Sequence, residues 1–244
     1  MLGIGQANVV YWMNKLEIPR RSKSEALTKT LRRDFSGDLA EKAYLIGFRL
    51  GDLHVYKIHP MSGETIRIVC ASTKTAQIRL ISSLFESYGH VKITTLSDGK
   101  TAISCYVNTS FNFLLPKQDA IDEWIMADKE YSLAFLAGYI DAEGSFRIDM
   151  NGSGNLRIES YDANILHQLH EIFIDIDILC PPPNLIKLKE TAKQKLNQNL
   201  WRLGVYRKTS LDRLCFVLEP HLRHAQRKQD MMTVWQNVRK RNAR

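Results

Sequence analysis

Ala134-Phe-Leu-Ala-Gly-Tyr-Ile-Asp-Ala-Glu143 matches Ala43-Tyr-Leu-Ile-Gly-Phe-Arg-Leu-Gly-Asp52 without gaps, 91 residues downstream. Leu45 aligns with Leu136, Gly47 with Gly138, Gly51 with Ala142, and Asp52 with Glu143. So long an offset is no solenoid repeat; it fits a duplicated half-domain. Read as helices, the two segments place Gly47 and Gly51 on one face, and Gly138 and Ala142 on one face. Small residues at that spacing let helix backbones come closer than the usual ~8–10 Å. Glycine in a helix interior costs about 0.5–1 kcal/mol against alanine. Close packing of the two copies on each other is a compensation. It would bring Asp52 and Glu143 together at one end of the interface.

The flanks of each segment repeat too. After Asp52 the alternation predicts strands at His54–His59 and Thr65–Ser72, separated by the turn-like Pro60-Met-Ser-Gly63. A helix at Thr75–Tyr88 follows, then strands at Val91–Leu96 and Ala102–Asn108 and a short helix to Leu115. After Glu143 come strands at Phe146–Met150 and Leu156–Tyr161 and a helix at Ala163–Ile174. A break at Pro181-Pro-Pro183, strands at Leu185–Glu190 and Leu200–Arg207, and helices from Ser210 complete the half. The expected class is α+β, with two pseudo-symmetric αββαββα halves. The expected divisions are an N-terminal extension at 1–37, a first half at 38–117, a linker at 118–129 and a second half at 130–244 with a basic tail. Trp124 and Ile125 suggest that the linker packs. In the extension, Val9, Trp12, Met13 and Leu16 recur at helical spacing.

The chain has 244 residues, 34 Lys and Arg against 26 Asp and Glu, and a formal charge of +8. That length supports a sizeable core without staples, and no apolar run approaches a membrane span. No secretory signal is readable, and the expectation is a soluble intracellular monomer. Cys70, Cys105, Cys180 and Cys215 are far apart, which favours free thiols in a reducing compartment over zinc or a disulfide framework. Residues 185–208 carry Lys187, Lys189, Lys193, Lys195, Arg202, Arg207 and Lys208 against Glu190, a local balance of +6. Residues 220–244 carry Arg223, Arg227, Lys228, Arg239, Lys240, Arg241 and Arg244 against Asp230, again +6. These blocks suit a polyanion.

Two carboxylates at helix C-termini face the negative ends of both dipoles. At about 6 Å they would repel by roughly 3 kcal/mol in an effective dielectric near 20. Either one is protonated or a cation lies between them. Hard oxygen ligands beside a basic surface favour Mg²⁺. Metal held by two carboxylates beside a polyanion fits phosphodiester hydrolysis. Strand alternation turns Arg67, Arg147, Arg157, Lys187 and Lys189 away from the core, where they could reach bases or phosphates. Lys57, Arg202 and Arg207 are further candidate DNA contacts.

Leu136-Ala-Gly-Tyr-Ile-Asp-Ala-Glu-Gly144 closely resembles the signature of LAGLIDADG homing endonucleases, and Leu45-Ile-Gly-Phe-Arg-Leu-Gly-Asp-Leu53 is a looser copy. The resemblance covers roughly residues 39–235 and is to the single-chain, two-motif members. It implies motif helices at the interface between halves and a saddle of two four-stranded antiparallel sheets lying along double-stranded DNA. It implies divalent-metal-dependent cutting of both strands at a long site, with Mg²⁺ as cofactor and Mn²⁺ or Ca²⁺ able to replace it for binding. By motif position the metal-binding acids are Asp52 and Glu143, with the backbone carbonyls of Gly51 and Ala142 as additional ligands. The first copy departs at Leu50, where the signature has Asp, and at Leu53, where it has Gly; neither position binds metal. Phe113-Leu-Leu-Pro-Lys117 resembles the segment supplying an active-site cation, which makes Lys117 a catalytic candidate. In Pro220-His-Leu-Arg-His-Ala-Gln-Arg-Lys228 the matching candidates are Arg227 and Lys228. Gly3–Ser22 resembles the second helix of a helix-turn-helix, followed by a basic tail common beside such enzymes. The function implied is an intron-encoded DNA endonuclease. The alternatives are an RNA-binding maturase, with its own intron RNA as partner, and a DNA-binding protein without cleavage.

Overall fold

The computed structural model describes residues 5–19, 30–59, 63–186 and 199–242. Helix α1 (Gln6–Lys15) leads. The first half then runs α2 (Leu39–Asp52), β1 (His54–Ile58), β2 (Thr65–Ser72), α3 (Thr75–Phe85), β3 (His90–Thr95) and β4 (Thr101–Val107), ending in a 3₁₀ turn at Thr109–Leu114. A short α4 (Glu123–Met126) leads into α5 (Lys129–Glu143). The second half continues with β5 (Gly144–Ile148), β6 (Gly154–Ser160), α6 (Ala163–Asp175), β7 (Asn184–Leu185), β8 (Trp201–Val205), α7 (Lys208–Leu218) and α8 (Ala225–Asn242).

Both sheets are antiparallel and have the same order, β1-β2-β4-β3 and β5-β6-β8-β7. The α+β expectation and the duplicated strand order are met. The β7 strand is described at Asn184–Leu185, and the rest of the predicted Leu185–Glu190 from 187 on, with Lys187 and Lys189, lies outside the described residues.

The two helices α2 and α5 cross at the centre. A Cβ added to Gly47 would collide with the Phe135 carbonyl oxygen, and one added to Gly138 with the Tyr44 carbonyl oxygen. The clashes are reciprocal because Tyr44 and Phe135 occupy matching places in the two copies. Only glycine lets each backbone lie against the other. Helix α5 is buried on every side from Ser132 to Ala142, so it has no polar stripe to show in its sequence pattern. Helix α2 starts where the Asp38 carboxylate accepts the Glu41 amide at 2.8 Å; α5 starts where Asp128 accepts those of Glu130 and Tyr131.

Two segments flanking the halves are tied to them. Arg33 donates its amide to the Tyr88 carbonyl, and the Phe35 ring sits among Tyr88, Phe111 and Phe113. Residues Arg33 and Phe35 of the expected extension therefore pack against the first half. One aromatic residue in a polar stretch carries that contact, and it leaves no periodic pattern. The linker is fastened to the second half: Asp119 accepts the amides of Asn164 and Ile165 at the start of α6, Gln168 bonds the Ile121 backbone, and Ile121 and Ile125 are buried. Helix α1 keeps Val9, Trp12 and Leu16 exposed; its apolar face does not join the core.

Candidate active site and nucleic-acid face

The helix crossing decides where the two acids go. At its C-terminal end, a Cβ on Gly51 would lie 2.5 Å from Ala142 Cβ and 3.3 Å from Glu143 Oε1. Asp52 and Glu143 therefore meet at the end of the interface. Each chain leaves this point directly into a strand: α5 gives way to β5 at Gly144, and α2 to β1 after Leu53. Gly144 is needed where it stands, since a Cβ there would press into Ile140. Leu53, its counterpart, is extended and buried, so the first half makes the same exit without glycine.

The electrostatics of the pair are unequal. Burial is the main cause that lifts the Glu143 carboxyl to about 7, followed by repulsion from Asp52 and Asp162; Lys117 and Arg227 oppose it. Burial also raises the Asp52 carboxyl, but the Gln77 amide donates to its Oδ2 at 2.6 Å, and Arg227 and Lys74 pull it down. Lys74 and Asp162 immediately precede α3 and α6, so one half sets a cation where the other sets an anion. Lys74 was missed from sequence, although a lysine at a helix N-terminus opposes the dipole and is a signal of another use.

Arg227 and Lys228 part company. The Arg227 guanidinium donates to the Ala142 carbonyl at 3.4 Å and lines a hollow of about 380 Å³ with Lys74, Glu143, Arg147 and Arg157. Lys228 instead pairs with Glu219 at 2.9 Å. Lys117 is held from both sides. The buried Arg49 donates to the Leu114 carbonyl at 2.9 Å, three residues before it, and Asp119 caps α6 just after it.

The strand registers sort the remaining cations. Tyr56, Arg67 and Tyr106 lie opposite one another on β1, β2 and β4, and the Arg67 guanidinium stands 5.8 and 5.6 Å from the two tyrosine rings. Lys92, unread from sequence, shares this outer face through its pairing with Ser104. Lys57 pairs with Ile66 and so lies on the core-side face, one residue out of phase with Arg67. In the second half Arg147 is exposed beside Ser145, Arg157 is bound to Asp149 at 2.9 Å, and Arg202 to Glu159 at 2.6 Å. Arg207 is past the end of β8, immediately before α7.

Residues 130–179 match the sequence model of the LAGLIDADG-like domain. The structure resembles the LAGLIDADG meganuclease I-AabMI bound to uncleaved DNA, with a TM-score of 0.50 over 82% of this chain and 92% of that one at 12% identity. This is the LAGLIDADG homing endonuclease fold. A double mutant of I-SmaMI gives a TM-score of 0.52 at 10% identity over the same shares of the two chains. Full-length DUF199/WhiA from Thermatoga maritima gives 0.53 at 16% identity, with 86% of this chain covered and 63% of that one. No curated protein sequence matches the chain.

The LAGLIDADG helices thus end in two half-buried, mutually repelling carboxylates. A divalent cation would relieve that repulsion, so the donor chemistry fits one. Among the described residues no group of three or more His, Cys, Asp or Glu gathers to hold a metal. Any divalent cation held by this pair would draw further hard oxygen ligands from outside the two carboxylates.

Proposed function

We propose that the chain is a site-specific, divalent-metal-dependent double-strand DNA endonuclease, encoded in an intron and acting at a long target. The single observation that carries this is the meeting of Asp52 and Glu143 at the end of the glycine-lined crossing, between two basic sheet faces. Partner chemistry points the same way: I-AabMI, of the same fold, is bound to DNA.

Asp52 and Glu143, with the Gly51 and Ala142 carbonyls, would hold Mg²⁺; Mn²⁺ or Ca²⁺ would serve for binding. When bound, such an ion supplies neutralisation of the phosphate and acidification of water. The chain's own residues do the rest. Arg227 brings a fixed positive charge next to Glu143, suited to a phosphate oxygen. Lys117, tied to both halves, offers a second cation to the same acid. Gln77 orients Asp52 through its carboxamide. Arg67 and Arg147 present guanidinium groups from the two sheets toward base edges or backbone.

Selection of a target from a randomised plasmid pool in Mg²⁺ tests the reading. Cleavage is expected, and Asp52→Asn or Glu143→Gln should each slow it by about 1,000-fold or more, about 4 kcal/mol in the barrier. Tight duplex binding with no cutting by the unaltered chain would favour a DNA-binding role alone. Splicing assistance that survives both substitutions would favour a maturase.

A further inference from the structure

Asp141 sits two residues before Glu143 and is wholly buried. Its carboxylate is committed elsewhere. Oδ2 accepts from the Tyr44 hydroxyl at 2.7 Å, from the Arg223 amide at 2.8 Å and from the His224 amide at 3.1 Å. The tyrosine comes from α2, and the two amides from the turn that opens α8. His224 is itself buried, and its Nδ1 accepts the Arg227 amide at 3.2 Å. That bond requires an unprotonated Nδ1. Arg227 in turn reaches the Ala142 carbonyl. The chain of bonds thus leaves α5 at position 141, passes through the start of α8, and returns to α5 at position 142.

Packing does not demand a carboxylate here. Leu50 occupies the matching place on α2 and is buried equally well. Burying an acid where leucine suffices is costly unless its bonds accomplish something. What distinguishes the second half is the segment those bonds hold.

We propose that Asp141 is a positioning residue: through the two amides and His224 it fixes the first turn of α8 and so aims the Arg227 guanidinium at the active site. The inference rests on the endonuclease reading for its consequence, though not for its measurement. Asp141→Ala, Asp141→Asn, Arg227→Ala and the double variants Asp141→Ala/Arg227→Ala and Asp141→Asn/Arg227→Ala would be compared. The first readout is the salt dependence of binding to random-sequence duplex DNA. Arg227→Ala should lower the slope by about one. Asp141→Ala should lower it by the same amount, and the double variant no further. Asp141→Asn, which keeps an acceptor oxygen, should restore most of the slope. The second readout is single-turnover cleavage of a selected target. Asp141→Ala should slow it by about 100-fold, the effect of a misplacement near 1 Å, and should add nothing once Arg227 is gone.

Additive losses in slope or rate would overturn the proposal, as would an unchanged slope in Arg227→Ala. Should Asp141→Ala fail to fold, the asparagine pair carries the comparison: wild-type-like slope and rate, with Arg227→Ala dominant in the double, is expected, and independent losses refute it. Coupled slopes in a chain that cuts nothing would sink the endonuclease reading and leave the positioning role standing.

Discussion

Glu143 lies where three unfavourable influences coincide: burial, the neighbouring Asp52, and Asp162. Its carboxyl is lifted from 4.5 to about 7, so between those two values the folded chain binds a proton that the unfolded chain has released. The slope of stability against pH is then negative. Without divalent ions, stability should fall as pH rises from 5 to 8, by an amount on the order of 2–3 kcal/mol. Thermal denaturation in EDTA across that range would register it. Glu143→Gln should flatten the decline, and an undiminished decline in that variant would place its source elsewhere. At the same level, the carboxylates and glycines were legible in sequence, because a gapless match fixes both their spacing and their pairing. Arg49 and Asp141 were not. Their bonds join residues 65 and 82 positions apart, and such links leave no trace in local periodicity.

Helix α5 reads as featureless in hydrophobicity because all its faces are covered, whereas α2 has its exposed and half-buried positions mainly in the first turn and at its end. Its glycine, rather than any apolar stripe, identifies its partner. A methyl group on Gly138 would meet the Tyr44 carbonyl and the Phe48 amide, both backbone atoms that cannot rotate aside. Gly138→Ala should therefore destabilise the fold by about 1–3 kcal/mol despite alanine's better helix propensity. Chemical denaturation would measure it, and a neutral or stabilising result would mean the helices are not in backbone contact. The strands were legible where both faces alternate, as in β2. The β8 strand was also legible, and its partner β7 was placed at the right point of the chain. Helix α1 was readable as a helix. Its exposure was not, since spacing reports amphipathicity and not the presence of a covering surface.

The two halves share strand order but not chemistry. The first offers Asp52 with Gln77 and Lys74; the second offers Glu143 with Asp162, and Lys117 reaches that acid from the end of the first half. Arg67 is framed by tyrosines on one sheet, while Arg157 and Arg202 are paired with acids on the other. On the endonuclease proposal, two centres so differently furnished should cut at different speeds. In a time course on supercoiled target, nicked circles are expected to accumulate before linear product, with one strand cut several-fold faster. Each factor of ten between the strands corresponds to about 1.4 kcal/mol. Indistinguishable rates for both strands would mean that the environments of the two acids do not limit the reaction.

Leu114, three residues before Lys117, is held to the first half through Arg49, while Asp119, two residues after it, caps a helix of the second. Anyone recombining halves from different parents therefore has a clean seam between 117 and 119, where each parent keeps its own anchor. A junction past Met126 would instead hand the capping of α6 to an aspartate from the other parent.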